Sequence, residues 1–168
     1  PKFRVKLSYP DYQSIMLSSQ DGKNPVIKID GKKIPQILNQ KVIVWIVWNN
    51  ILEVKIGEKT YTGKEIQFSH LVVRIDSWSR VPDWDKTRKY NDNLFRDTIR
   101  VIVQDEKLVV INDLPLEWYL KGMGEVSNGD RIEKIKTIVV AARSYAKWYM
   151  DPLHRKFSTR LYDGSDNP

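Results

Sequence analysis

DRIEKIKTIVVAARSYAKWYM, residues 130–150, is the stretch that sets the fold class. Ile132, Ile135, Val139, Ala142, Ala146 and Tyr149 recur at helical spacing, and Ile138, Ala141, Tyr145 and Trp148 form a second stripe beside them. Apolar side chains around most of the middle turns predict a helix buried in the core. Pro152 ends it near Met150, because a proline ring blocks helix continuation. Asp130, with Glu133 three residues later, reads as a capping box at its start.

Before this helix the sequence has a different period. Phe3, Val5 and Leu7 alternate with Lys2, Arg4 and Lys6, as in a strand with one face buried. VIKID at 26–30 runs into a turn at Gly31, and VIVWIVW at 42–48 reads as a central strand buried on both sides. Asn49 and Asn50 turn the chain into ILEVKIG, and two short strands follow around Gly63. Residues 77–96 break the rhythm with Pro82, the Trp78/Trp84 pair and a run of Asn and Asp, which predicts an ordered loop. TIRVIVQDEKLVVIN, 98–112, reads as a hairpin closing through Gln104, Asp105 and Glu106. Leu116, Tyr119, Leu120 and Met123 then fall at helical spacing after Pro115, and Gly122 and Gly124 weaken that short helix. The expected class is α+β: a strand-rich N-terminal part packed with a short helix and a long buried helix near the C-terminus.

The chain has 168 residues, enough for one domain with a sizeable core, and its 41% hydrophobic content excludes a disordered composition. Six Trp and eight Tyr suit a core or a sugar-binding groove equally well. Lys plus Arg (28) exceeds Asp plus Glu (21), giving a formal charge of +7. A basic surface favours anionic partners, but the cations are spread along the chain, so nucleic acid is not an expected partner. The absence of cysteine excludes a disulfide framework and a thiolate zinc site. His70 and His154 are the only histidines, so no metal or other cofactor is expected. The longest apolar run is far short of a membrane span. The start at Pro1 and the stop after DGSDNP suggest a processed or cloned fragment, with any membrane anchor outside it.

Glu125 is the residue best suited to chemistry. It follows glycines at 122 and 124 and precedes a Ser-Asn-Gly turn, at the junction of the two helices. A carboxyl group partly desolvated there would resist ionisation and could donate a proton to a leaving oxygen, the first step in cleaving a glycosidic bond. Local physics alone favours the plainer alternative, an acid ending a helix at the surface. A second carboxylate is not evident: Glu117 is better read as the surface partner of Lys121, and Asp130 and Glu133 as capping groups. Arg143 lies inside the apolar run IVVAARSYA and needs a partner, for which an ion pair and a substrate contact are equally open. Lys136 and Tyr145 are weaker candidates, more simply read as a snorkelling side chain and a core aromatic. Ser144 lacks an obvious His or Asp companion, and His154 reads as a surface loop residue.

LPLEWYLKGMGEVS followed by EKIKTIVVAARSYA resembles the signature region of the stage II sporulation protein D family, also described as amidase-enhancer domains. That family carries L-P-L-E-x-Y-L-x-G-V-x-x-E-M-P and then E-A-L-K-A-Q-A-V-A-A-R-T-Y-A, and the interval between their Glu residues matches that from Glu125 to Glu133. NLFRDTIRVIVQDEKLVVIN resembles the family's lead-in, and LYDGSDNP the start of its last segment. Val126-Ser127 replaces Met-Pro, Ile138 replaces Gln, and Asp97 stands where Gly is usual. The strong match spans residues 94–146. The resemblance implies one domain over 1–168, truncated at its C-terminus, with a strand-rich part at 1–76 and a catalytic core region at 94–168. It also implies a lytic transglycosylase that cuts peptidoglycan between N-acetylmuramic acid and N-acetylglucosamine to leave 1,6-anhydro ends. Glu125 matches the catalytic acid and base, and Arg143, Lys136 and Tyr145 match positions that line or support the site. The zinc site of some relatives needs cysteine and is not expected here. Peptidoglycan strands are the implied partner, a cell-wall amidase is a second, and the implied location is extracytoplasmic. The alternative function is a non-catalytic wall-binding module that stimulates an amidase.

Overall fold

The computed structural model describes residues 2–21, 23–35, 41–122, 129–154 and 161–166. Strands take up 44% and helices 17%, so the fold is mostly β and not the α+β arrangement expected from the sequence. Among the described residues eleven strands are hydrogen-bonded into one sheet: β1 (Lys2–Lys6), β2 (Ser14–Ser19), β3 (Val26–Ile29), β4 (Lys32–Lys33), β5 (Val42–Ile46), β6 (Leu52–Ile56), β7 (Lys59–Gly63), β8 (Glu65–Ile75), β9 (Leu94–Gln104), β10 (Lys107–Pro115) and β11 (Gly164–Ser165). Two helices stand among the described residues, α1 (Leu116–Lys121) and α2 (Ile132–Met150). The strand order is β11-β1-β10-β9-β8-β2-β5-β6-β7, with the β3–β4 hairpin attached to β8.

Short turns fix the register. Asp30-Gly31, Asn49-Asn50 and Asp105-Glu106 each place both central residues at positive φ, from 47° to 77°. That is the type I′ geometry, whose twist matches that of the flanking strands. Asn and Asp tolerate this region through local hydrogen bonding, and Gly has no Cβ to clash. Gly57, at φ 61°, opens the two-residue link between β6 and β7.

β8 is the spine of the sheet. It pairs with β9 along one edge, while its other edge is shared by β3, opposite Ile66–Ser69, and β2, opposite Val73–Ile75. The register slips between these two stretches, at His70/Val72, where Leu71 bulges into solvent. A bulge adds twist and re-aims a strand. Its position lets one strand serve two neighbours.

Alternation places Phe3 and Val5 of β1, Val42 and Val44 of β5, Val54 of β6, Phe68 of β8 and Ile99 of β9 in one buried cluster. Strands far apart in the order share that core, so the sheet curls around it. Leu108 N–H donates to the Tyr12 carbonyl across the fold (2.8 Å). β9 and β10 are covered on their other face too, because Ile102, Val109 and Ile111 pack under Tyr162 of the C-terminal segment. β11 lies parallel to β1, Arg4 forms a two-pronged ion pair with buried Asp163, and Arg100 Nη2 donates to the Leu161 carbonyl (2.9 Å).

Two burial expectations are overturned. β5 turns only Val42 and Val44 fully inward, leaves Ile43, Trp45 and Ile46 half-buried, and is followed by exposed Trp48. It is therefore covered on one face only. In α2, Ala146 alone is buried, while Val140 (58%), Tyr145 (51%) and Trp148 (55%) are exposed. Val139, Ala142, Ala146 and Met150 pack against the core, so the middle of the first apolar stripe faces the protein, while Ile132 at its start (54%) and much of the second stripe are exposed. Strand side chains already fill the core and leave no room to surround a helix.

Candidate functional site

β10 runs directly into α1, with Pro115 as the last strand residue and the cap of the helix. Its fixed φ, −55° here, suits that junction. Leu116 and Leu120 are buried, and the Tyr119 ring lies 4.5 Å from the Phe3 ring. Gly122 ends α1, its N–H donating to the Tyr119 carbonyl (3.0 Å). α2 then packs against α1 with its inward stripe. The capping box expected at Asp130 and Glu133 does not form. Arg131 is the cap without a side-chain bond, and Asp130 instead sits 3.0 Å from Lys134 one turn on.

The two helices are clamped by Arg143 and Glu117. Arg143 Nη2 donates to Glu117 Oε2 (2.6 Å) and Nε to Oε1 (3.2 Å). This shared hydrogen bonding lowers the Glu117 pKa and raises that of Arg143. The geometry is the parallel fork that guanidinium and carboxylate favour. Glu117 thus takes Arg143, 26 positions away, in place of the Lys121 pairing expected from local spacing. Helical periodicity cannot reveal such a partner.

At about 100° per residue, Lys136, Arg143 and Lys147 form one row along α2, whereas Tyr145 lies about half a turn away from Lys136. Lys136 is exposed and Arg143 half-buried. Tyr145 sits edge-on to Tyr149, with centroids 4.5 Å apart. Lys136 and Arg143 therefore share one row of α2, two turns apart, of which Arg143 reaches α1, and Tyr145 stands on the other side of the helix. Ser144 returns its hydroxyl to the Val140 carbonyl (3.0 Å) within the helix. His154 is stacked on Trp148 (3.5 Å between centroids) and stands 3.6 Å from Asp151, a more enclosed setting than a surface loop. Glu125, with the rest of 123–128, lies outside the described residues.

No family model, curated protein or solved structure matches the chain. The motif resemblance therefore stands on the residues that carry it.

An ion-pair network across β8, β9 and β10 was not expected from the sequence. Arg100 faces both Glu65 (3.6 Å) and Asp113 (3.1 Å). Burial raises the Asp113 pKa, outweighing the attraction of Arg100, Arg4 and Lys2. The only hint in the sequence is that Arg4, Arg100 and Asp113 occupy polar positions of alternating strands. Among the described residues no group of three or more His, Cys, Asp or Glu could hold a metal, and no helix is long and apolar enough to cross a membrane.

Proposed function

We propose that the chain is a peptidoglycan lytic transglycosylase of the stage II sporulation protein D type, with Glu125 as its single acid and base. The observation that carries this reading is the pairing of the two motif halves. LPLEWYLKG forms the end of β10 and α1, IVVAARSYA lies within α2, and the Glu117–Arg143 fork joins them. Residues 123–131, which include Glu125, connect those clamped helices. A positioned carboxyl needs such a rigid support on both sides.

In this reading the Glu125 carboxyl protonates the glycosidic oxygen as the bond from muramic C1 breaks. The resulting carboxylate then takes the proton from the muramic 6-hydroxyl, whose oxygen closes on C1. No water is consumed, Glu125 ends protonated as it began, and one carboxyl suffices. Lys136 and Arg143, with the basic row continuing to Lys147, would face the anionic lactyl and peptide groups of the strand. Substituting Lys136→Ala should raise KM more than it lowers kcat. The direct test is digestion of purified glycan strands by wild type and by Glu125→Gln. Release of anhydro-muropeptides by wild type alone supports the reading. No release by either, or equal release by both, removes it.

A second reading is favoured by the exposed face of α2. Val140, Tyr145 and Trp148 give a wall-binding module an apolar surface on which to engage an amidase. That reading requires amidase stimulation that survives Glu125→Gln and falls with Trp148→Ala.

A further inference from the structure

The loop joining β8 to β9 has a stem and a tip of different character. At the stem Trp78 is buried, stacked on Phe95 (5.8 Å) and edge-on to Tyr9 (5.5 Å). Arg80 N–H donates to Asn91 Oδ1 (2.8 Å), Asn91 Nδ2 to the Trp78 carbonyl (3.0 Å), and Asn93 Nδ2 to the Ile75 carbonyl (3.0 Å). At the tip Asp85 is the hub. Its Oδ1 accepts from the Thr87 N–H (3.0 Å) and hydroxyl (2.7 Å), and its Oδ2 from the Tyr90 N–H (2.7 Å).

These bonds hold two aromatic rings out in solvent. Trp84 is 70% and Tyr90 48% exposed, and their centroids are 5.4 Å apart. Leaving both in water forfeits their burial, and ordering the loop beforehand lowers the cost of presenting them to a partner. Lys86, Arg88 and Lys89, all exposed, lie between them in sequence. Asp85 spends its carboxylate on hydrogen bonds within the loop, Asp92 faces Arg80 (3.9 Å), and Asp83 is exposed, so at residues 83–90 three cations stand against two acids.

We propose that this tip, Trp84 and Tyr90 with Lys86, Arg88 and Lys89, docks on an anionic lipid surface. Trp and Tyr favour the headgroup boundary, where an apolar ring and a polar edge are both accommodated. Lysine and arginine stems reach from that depth to lipid phosphates. A sugar-binding platform fits less well. The two rings are inclined at 38° and offer no single flat surface. The carboxylate and amides that would bind sugar hydroxyls, Asp85, Asn91 and Asn93, spend their hydrogen bonds within the loop.

The test is co-sedimentation of the full chain with vesicles of equal parts phosphatidylglycerol and phosphatidylcholine, against phosphatidylcholine alone. The expected result is binding to the anionic vesicles that weakens as salt rises. Trp84→Ala with Tyr90→Ala should lower the partition coefficient about tenfold. Lys86→Gln with Arg88→Gln and Lys89→Gln should lower it about a hundredfold. Circular dichroism should report unchanged folding for both, since every altered side chain is exposed. Failure of wild type to sediment with the anionic vesicles overturns the proposal. So does equal sedimentation of both variants with wild type. Binding to peptidoglycan that is lost with Trp84→Ala, without vesicle binding, would reassign the tip to glycan. None of these outcomes depends on Glu125.

Discussion

The sheet around β8–β10 and the helix α2 are both rich in apolar residues, yet the chain covers one and leaves half of the other in water. β10 buries Leu108, Val110 and Leu114 in the main core and Val109 and Ile111 under Tyr162. α2 buries Ala146 and leaves Val140, Tyr145 and Trp148 exposed. A strand's neighbours on both edges are held by backbone hydrogen bonds, so its apolar faces are part of a layer built by the same chain. A helix satisfies its backbone internally and can stand with an apolar stripe uncovered. Apolar periodicity therefore states that a face is apolar, not that this chain covers it.

The largest effect should come from the sheet. Phe68→Ala removes a fully buried ring from the shared core and should cost about 3–5 kcal/mol in denaturant unfolding. Trp148→Ala on α2 should cost less than about 1 kcal/mol, part of it lost stacking on His154. Similar losses at both positions would break the contrast between the regions.

The covering of β9 and β10 can be tested next. Arg4→Met leaves the buried Asp163 carboxylate without its guanidinium and should cost about 2–3 kcal/mol, at the low end for a buried pair because Arg4 is partly exposed. Hydrogen exchange should then quicken at Asp163 and Asp166, whose N–H groups bond to Arg4 and Lys6 carbonyls. Unchanged exchange would mean that the Tyr162 contact, the β1–β11 pairing and the Arg100–Leu161 bond fasten the segment without the ion pair.

A smaller effect is expected at the β3–β4 turn. A Cβ on Gly31 would meet nothing within 4 Å, so Gly31→Ala tests backbone conformation alone at φ 77°. The cost should be about 1 kcal/mol by chemical unfolding. Asp113 gives the smallest effect, through pH. Its carboxyl pKa is raised in the folded state, so the protonated form is favoured there and its contribution to stability falls as pH rises from 3.8 through that higher value. Asp113→Asn should remove that fall, seen as a flatter pH dependence of the unfolding midpoint. An unchanged slope would show that the pairing with Arg100 offsets burial.

Much of the sheet was legible in the sequence. Alternation in KFRVKLSY, the Asn49-Asn50 turn and the hairpin at 98–112 depend on neighbours a few residues apart, and all three are present. The extent of α2, ended by Pro152, was legible for the same reason. What failed depends on distant partners. The Trp78/Trp84 pair divides, with Trp78 buried against Tyr9 and Phe95 and Trp84 out beside Tyr90. Of the candidate site, the sequence marked Arg143 as a cation in need of a partner but not that the partner is Glu117, whereas the half-turn between Lys136 and Tyr145 follows from helical spacing alone.

In the mechanism proposed for Glu125, the sugar's own hydroxyl displaces the glycosidic bond and Glu125 is the single acid and base. The most direct measurement is mass spectrometry of glycan fragments released by the wild-type chain in heavy-oxygen water. That mechanism requires 1,6-anhydro ends carrying no heavy oxygen, and their loss with Glu125→Gln. Heavy oxygen at newly formed reducing ends would mean water is the nucleophile, and the mechanism proposed for Glu125 would be wrong.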